Sequence, residues 1–392
     1  VTSPKTHRLL VLSPFPPRLD ATHGGAQAVA RLVQMHAELR RVVLLTLRRP
    51  DEPGIDEAVA SVCEAVYEVE RAPIGRSPRL AWHERQRAAG LLRGWPLWAT
   101  SVATRAFDER LAAICADWRP HIVQAEFGVM GPYLRRVPPS TPRVLVEHDP
   151  GMRRAGGTVA RWSWRRFGPI SSARADAIVV FTREDLAAVS AVAPPEAVVE
   201  CIPLPWEIRQ AAVVRPAEEA PPTVLFVGSF DHRPNVDAAR RLLRLLPEVR
   251  RRNPATVLAL VGAGAPPDFA GEGVLAPGRV ADVDPWLARA DVVAVPLDSG
   301  GGVRVKVIEA LAAGRAVVGS PRAFEGLEVE DGRDAVVAET DEEFVDALVE
   351  LLSDPGRRAR FEASARAWAE SLPTPQSVGE RYDRLYKRLE RR

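Results

Sequence analysis

The stretch "DVVAVPLDSGGGVRVKVIEALAAGRAVVGS", residues 291–320, decides how the chain is read. A run of β-branched and small apolar residues ends at Leu297. Gly300, Gly301 and Gly302 then allow a tight turn and a close backbone approach. Beyond them apolar side chains recur at helical spacing, and Gly314 stands where such a helix ends. "RAVVGS" opens a further strand. Strand, glycine turn, helix and strand, with neither strand alternating in polarity, predict a βαβ unit of a parallel sheet buried on both faces.

The same alternation runs outward in both directions. "RLLVLSPF", "RVVLLTL", "AVYEVE", "HIVQAEF", "RVLVEHD", "AIVVFT" and "VVECIPL" read as strands upstream, several separated by helix-length segments. "PWEIRQAAVVRPAEEAPP", residues 205–222, is rich in Pro, Ala and Glu and lacks a period, so it reads as a linker. "TVLFVGSF" restarts the alternation. The 392 residues exceed one ordinary core, and about 200 residues per domain is the expectation. The fold class expected is therefore α/β: two doubly wound, Rossmann-like domains facing across a cleft. Their limits are 1–205, a linker at 206–222, then 223–370, with a C-terminal helix over 371–392 that packs back on the first domain.

Composition narrows the partners. Hydrophobic residues make up 46% and charged residues 27%, as in a soluble globular chain. A net charge of +2 excludes nucleic acid held by bulk electrostatics. No apolar run reaches the roughly 18 residues of a membrane span. Cys63, Cys115 and Cys201 show neither zinc nor disulfide spacing, and "VTSPKTHRLLVLSPF" shows no signal-peptide core. A cytoplasmic setting, with the inner face of the membrane as a second option, is expected.

The quoted stretch also carries chemistry. Glycine N–H groups before a helix start, with Arg304 and Lys306 beside them, make an anion site. Glu309 shares a helical face with Val305, Ala312 and Ala313. A carboxylate there needs partners. Ribose hydroxyls would satisfy it, and so would pairing with Lys306 on a partly exposed helix.

At this point a resemblance enters. "VPLDSGGGVRVKVIEALAAGRAVVGSPRAFEGLEV" is similar to the donor-site segment of the GT-B glycosyltransferases of family 4. "LFVGSFDHRPNVDAARRL" and "GRVADVDPWLARADVVAVPL" resemble that family's nucleotide-domain opening and base-binding loop. "VLVEHDP" and "WSWRRFGPISSARADAIVVFTREDLAAV" resemble its acceptor-domain elements, in the expected order. The resemblance implies transfer of a sugar from a nucleoside diphosphate sugar, UDP- or GDP-linked, to a hydroxyl, with retention and without metal or cofactor. Glu309 matches the second glutamate of the family's Glu-x7-Glu element and would bind ribose. Gly301, Gly302 and Val303 fall where backbone N–H groups meet the diphosphate or sugar. Gly24 and Gly25 match the N-terminal glycine loop, Arg279 and Val280 the base loop, and His148 a histidine near the transferring sugar. Gly228 opens the first loop of the nucleotide domain. The first glutamate falls on Gly301, and Ser229 and Pro234 replace the family's diphosphate clamp. Arg233, Arg304 and Lys306 are then the available cations, the last two the better placed.

Other residues keep two readings. His148 closes "RVLVEH", where α/β sites sit, or it caps a core; Glu147 and Asp149 flank it and can orient its ring. His23 touches diphosphate or is a loop histidine. Glu126 reaches the acceptor or is a solvated strand-end charge. Segments 76–98 and 153–174 join arginines to Trp82, Trp95, Trp98, Trp162 and Trp164. They mark a membrane surface or anionic acceptor, or else solvated helices with inward tryptophans. The arginines from Arg240 to Arg252 read as one exposed helix face. The acceptor class is a glycan, a lipid-linked glycan or a natural product. An epimerase acting on the donor alone, and a non-catalytic nucleotide-sugar-binding protein, are the alternative functions.

Overall fold

The structure is a computed structural model describing residues 7–21, 24–71, 90, 92–148, 150, 157–206, 220–299 and 304–391. His23, Asp149, Trp82, Gly300, Gly301, Gly302 and Val303 lie outside the described residues, as does 207–219 of the expected linker.

The chain forms two compact units. The first comprises residues up to Trp206 together with Pro373–Arg392, and the second most of residues 207–372. In the first, β1 (Arg8–Ser13), β2 (Arg41–Arg48), β3 (Ala65–Glu70), β4 (Ile122–Glu126), β5 (Arg143–Glu147), β6 (Ala177–Val180) and β7 (Val198–Cys201) make a parallel sheet of order β3-β2-β1-β4-β5-β6-β7. In the second, β8 (Thr223–Val227), β9 (Val257–Val261), β10 (Val274–Gly278), β11 (Val292–Val295), β12 (Ala316–Gly319) and β13 (Val336–Val337) follow the order β10-β9-β8-β11-β12-β13. Continuous aliphatic strands are what a sheet covered on both faces requires, and β1, β4, β11 and β12 are buried along almost all their length.

Each sheet reverses its winding once, between β1 and β4 and between β8 and β11. Beyond the carboxyl ends of such paired strands the following loops diverge and leave a crevice, where ligands of doubly wound sheets bind. The helices that matter there are α1 (Gly24–Leu39), α2 (Leu97–Val102), α3 (Arg105–Trp118), α4 (Thr158–Ser172), α5 (Arg233–Arg252), α6 (Val305–Ala312), α7 (Asp341–Ser353), α8 (Pro355–Glu370) and α9 (Pro375–Glu390).

The final helix, α9, packs on α1 of the first unit, burying Val378, Tyr382, Leu385 and Leu389. Trp206, read from sequence as the start of the linker, is buried: its indole lies under Arg31 at 4.4 Å, and its backbone N–H donates to Pro373 O at 3.0 Å. The arginine-rich face of α5 needs a correction as well. Arg241 is buried, donating to Asp341 at 2.7 Å, to Asp298 at 3.2 Å and to Glu339 O at 2.8 Å. Helical spacing placed it with its exposed neighbours, but carboxylates from two other segments draw it inward.

Candidate functional site

In the second unit the crevice is built by the end of β8, the start of α5 and the helix α6 that follows β11. Gly228 stands just past β8. A Cβ there would lie 2.9 Å from the Asn235 amide and 3.0 Å from Lys306 Nζ, so glycine is what lets those side chains meet over the strand end. Asn235 donates to Ser229 O at 2.7 Å and accepts from Lys306 Nζ at 2.5 Å. The Lys306 ammonium also lies 4.6 Å from the centre of the Phe226 ring. Burial and then the charge of Arg304 push its pKa down to about 7, against the opposing pull of Glu309. The same cluster holds His232 below its usual range, through burial and then Lys306.

Arg304 is buried and tied to the turn after β12: it donates to Arg322 O at 2.9 Å and to Glu325 at 3.0 Å. Its charge reaches the crevice while its guanidinium anchors that turn. Glu309 is half-buried, on the face of α6 that carries Val305, Ala312 and Ala313, while Val307, Ile308 and Leu311 fill the core. Arg279 is exposed and Val280 half-buried directly after β10. Arg233 points to solvent and pairs with Asp237 at 3.0 Å, one turn along α5. Lys306, Asn235, Gly228 and Glu309 are thus gathered at the crevice, and Arg233 is engaged at the surface.

In the first unit, Gly24 and Gly25 open α1 after β1, one exposed and one half-buried. Glu126 ends β4 and His148 follows β5. Glu126 is 0% exposed, and its Oε2 lies 2.5 Å from His148 Nε2. The reading of Glu126 as a solvated charge is therefore corrected: the chain leaving the neighbouring strand β5 carries His148 two residues past the position level with Glu126, and the two side chains satisfy each other. Phe127 stacks on the imidazole at 4.0 Å and 13°, and Phe181 meets it edge-on at 4.8 Å. Phe127 holds φ at 68°, a region side chains rarely enter, and this turns the chain sharply at the strand end. Glu147 accepts from Gly128 N at 3.3 Å.

Sequence reasoning missed Asn235, Phe127 and the residues behind Glu126. Asn235 sits one position past Pro234, the place of the family's lysine, and a neutral amide there carries no charge signal in the sequence. Gln124 alternates with Glu126 along β4, and a polar pair inside an otherwise apolar strand was the available signal. Among the described residues no group of three or more His, Cys, Asp or Glu is placed to hold a metal ion. Among them also, no helix is long and apolar enough to cross a membrane.

Residues 221–354 match the family model of glycosyl transferases group 1. The GDP-mannose-dependent alpha-(1-6)-phosphatidylinositol monomannoside mannosyltransferase of Mycolicibacterium smegmatis is 27% identical, over 92% of this chain and 93% of that protein. Among solved structures, sucrose-phosphate synthase from Thermosynechococcus elongatus is similar with a TM-score of 0.72 at 17% identity, covering 98% of this chain and 99% of its own. Anabaena HepE, solved in complex with UDP, gives 0.70 at 13% identity, covering 97% and 99%.

Proposed function

We propose that this chain, a glycosyltransferase of the GT-B fold, moves a hexose from a nucleoside diphosphate sugar to a hydroxyl of a lipid-linked glycan, with retention and without a metal ion. The observation that carries this reading is the Lys306–Asn235–Gly228 cluster at the reversal of the second sheet. A leaving diphosphate gains charge toward the transition state, and a poorly hydrated ammonium near a helix start stabilises that charge strongly. Glu309 takes the ribose hydroxyls, Arg279 and Val280 the base, and Gly301, Gly302 and Val303 the diphosphate or sugar. Gly24 and Gly25 offer further N–H groups to the diphosphate. His148 faces the transferring sugar, backed by Glu126. Retention is the expectation attached to the resemblance of the 291–320 segment.

The donor and acceptor are argued from different supports. The mannosyltransferase relative, aligned over nearly the whole chain, makes GDP-mannose the donor of choice. For a lipid-linked acceptor the support is a surface. Leu97, Val159 and Trp162 are 68%, 79% and 52% exposed, and Arg161, Arg165 and Arg166 stand among them on α4. Arg166 lies over the Trp162 ring at 5.2 Å and donates to Arg93 O at 3.3 Å, joining α4 to the loop before α2. Exposed aromatic and aliphatic groups among arginines suit an anionic membrane surface. Trp98 and Trp164 pack against each other at 6.3 Å instead, so the two readings of the tryptophans divide between residues.

Thermal unfolding with GDP, UDP, GDP-mannose and UDP-glucose tests the donor site. A guanosine nucleotide is expected to raise the midpoint by mass action, and no shift with any of the four overturns the reading. Mannose transfer to lipid extract is then measured in excess chelator. Activity is expected to persist, and Lys306→Ala to lower turnover without rescue by magnesium or manganese. Activity that vanishes in chelator and returns with a divalent ion overturns the metal-free mechanism.

A further inference from the structure

Behind His148 a line of buried polar groups runs through the first unit and ends on its last helix. The Tyr386 hydroxyl of α9 donates to Gln124 Oε1. Gln124 Nε2 donates to Glu126 Oε1 at 2.6 Å, and Glu126 Oε2 lies 2.5 Å from His148 Nε2. All four residues are buried. The directions of these bonds are fixed by elimination. A carboxylate only accepts, so His148 Nε2 carries the hydrogen. Flipping the Gln124 amide would set its oxygen against Glu126, two acceptors facing at 2.6 Å, and its NH2 against the tyrosine. Tyr386 keeps its proton, because burial holds its phenol far above the usual range. A second support comes from α1. Arg40 pairs with Asp383 of α9 and lies over the Tyr386 ring at 4.8 Å, and its Nη1 is 3.2 Å from His36 Nδ1.

We propose that Tyr386 and Gln124 are positioning residues that, through Glu126, hold His148 as the Nε2–H tautomer, so that Nδ1 presents a lone pair and accepts a hydrogen bond from a sugar or acceptor hydroxyl. Phe127 and Phe181 fix the plane of the ring, and the polar line fixes which nitrogen bears hydrogen. The second half of this inference rests on the reading of His148 as facing the transferring sugar. The first half concerns the unliganded protein alone.

The test combines 15N chemical shifts of histidine-labelled protein with kinetics, and thermal midpoints check that each variant folds. In the wild type, His148 is expected to show a protonated Nε2 and an unprotonated Nδ1. Glu126→Gln should reverse them, since the new NH2 donates to Nε2 and drives the hydrogen to Nδ1. Tyr386→Phe leaves the Gln124 amide free to turn its oxygen toward Glu126, which favours a protonated Glu126 able to donate to Nε2; a mixture of tautomers is expected, and kcat should fall about tenfold, the equivalent of one hydrogen bond, with KM for the donor nearly unchanged. Gln124→Leu, which leaves Tyr386 in place, has the same expected outcome and serves if Tyr386→Phe does not fold. A wild-type His148 protonated on Nδ1, or a Tyr386→Phe protein identical to wild type in both readouts, overturns the relay. Mixed tautomers with unchanged kcat uphold the relay and overturn the placement of His148 beside the sugar.

Discussion

At Lys306 two demands oppose each other. Burial and Arg304 favour the neutral amine, while a diphosphate favours the ammonium. With a pKa of about 7 in the free protein, the ammonium predominates below that pH and drains away above it. Binding of GDP should therefore weaken as pH rises from 7 to 9, by at most about tenfold per unit for one linked proton. Calorimetry at both pH values, in buffers of different ionisation enthalpy, should record proton uptake that Lys306→Met abolishes. Equal pH slopes in wild type and variant would move the effect to another group. Glu309 gives the second residue-scale expectation. Glu309→Ala should cost several-tenfold or more in donor use, since a charge-assisted hydrogen bond is worth about 1.5–3 kcal/mol. The loss has two possible sources, because Glu309 also supports the charge on Lys306. A 2′-deoxy donor separates them: it should be disfavoured by wild type and no longer by the variant. If the deoxy donor stays disfavoured, ribose is held elsewhere.

Among the elements, α4 shows how one helix serves two sides. Phe167, Gly168, Ser171 and Ser172 face inward, while Trp162, Arg165 and Arg166 face out. Vesicles containing anionic lipid should bind the protein, and salt should release it. Replacing Arg161, Arg165 and Arg166 by Glu should weaken binding on the order of a hundredfold or more, at about 1 kcal/mol for each basic residue near the surface. Co-sedimentation measures it; binding that is unchanged places the membrane contact elsewhere. The elements themselves were legible because the strands are covered on both faces. β1, β5, β11 and β12 are near-continuous aliphatic runs, which no solvated strand would carry. The glycine positions and strand ends followed from that pattern. Side-chain partners did not, because a helical period records which side faces inward but not what waits there. Arg241 found Asp341 and Asp298, and Glu126 found His148, through contacts that only the folded sheets bring about.

At the scale of the whole molecule, the first unit includes the last helix of the chain. Ending the chain at Leu372 would strip partners from Arg40 and Gln124 and uncover the apolar surface against Val378, Tyr382, Leu385 and Leu389. Each unmade buried hydrogen bond costs about 1–3 kcal/mol, and each uncovered large aliphatic or aromatic side chain a similar amount. Scanning calorimetry of that truncated chain should lose the transition of the first unit, while GDP still raises the midpoint of the second. A first unit that unfolds at its full-length temperature would assign α9 no part in its stability. The sequence carried a hint in the amphipathic spacing of 375–390, but no local pattern names a partner so far upstream.

The same helix imposes a timetable on biosynthesis. Gln124 and Tyr386 are 262 residues apart, so at 5–20 residues per second roughly 13–50 s separate their emergence from the ribosome. Throughout that interval the nascent first unit keeps its buried amide without its hydroxyl and its α1 without a cover. Until α9 is made, the surface that Val378, Tyr382, Leu385 and Leu389 later cover stays open. His148 gains the far end of its polar line only once Tyr386 has been made.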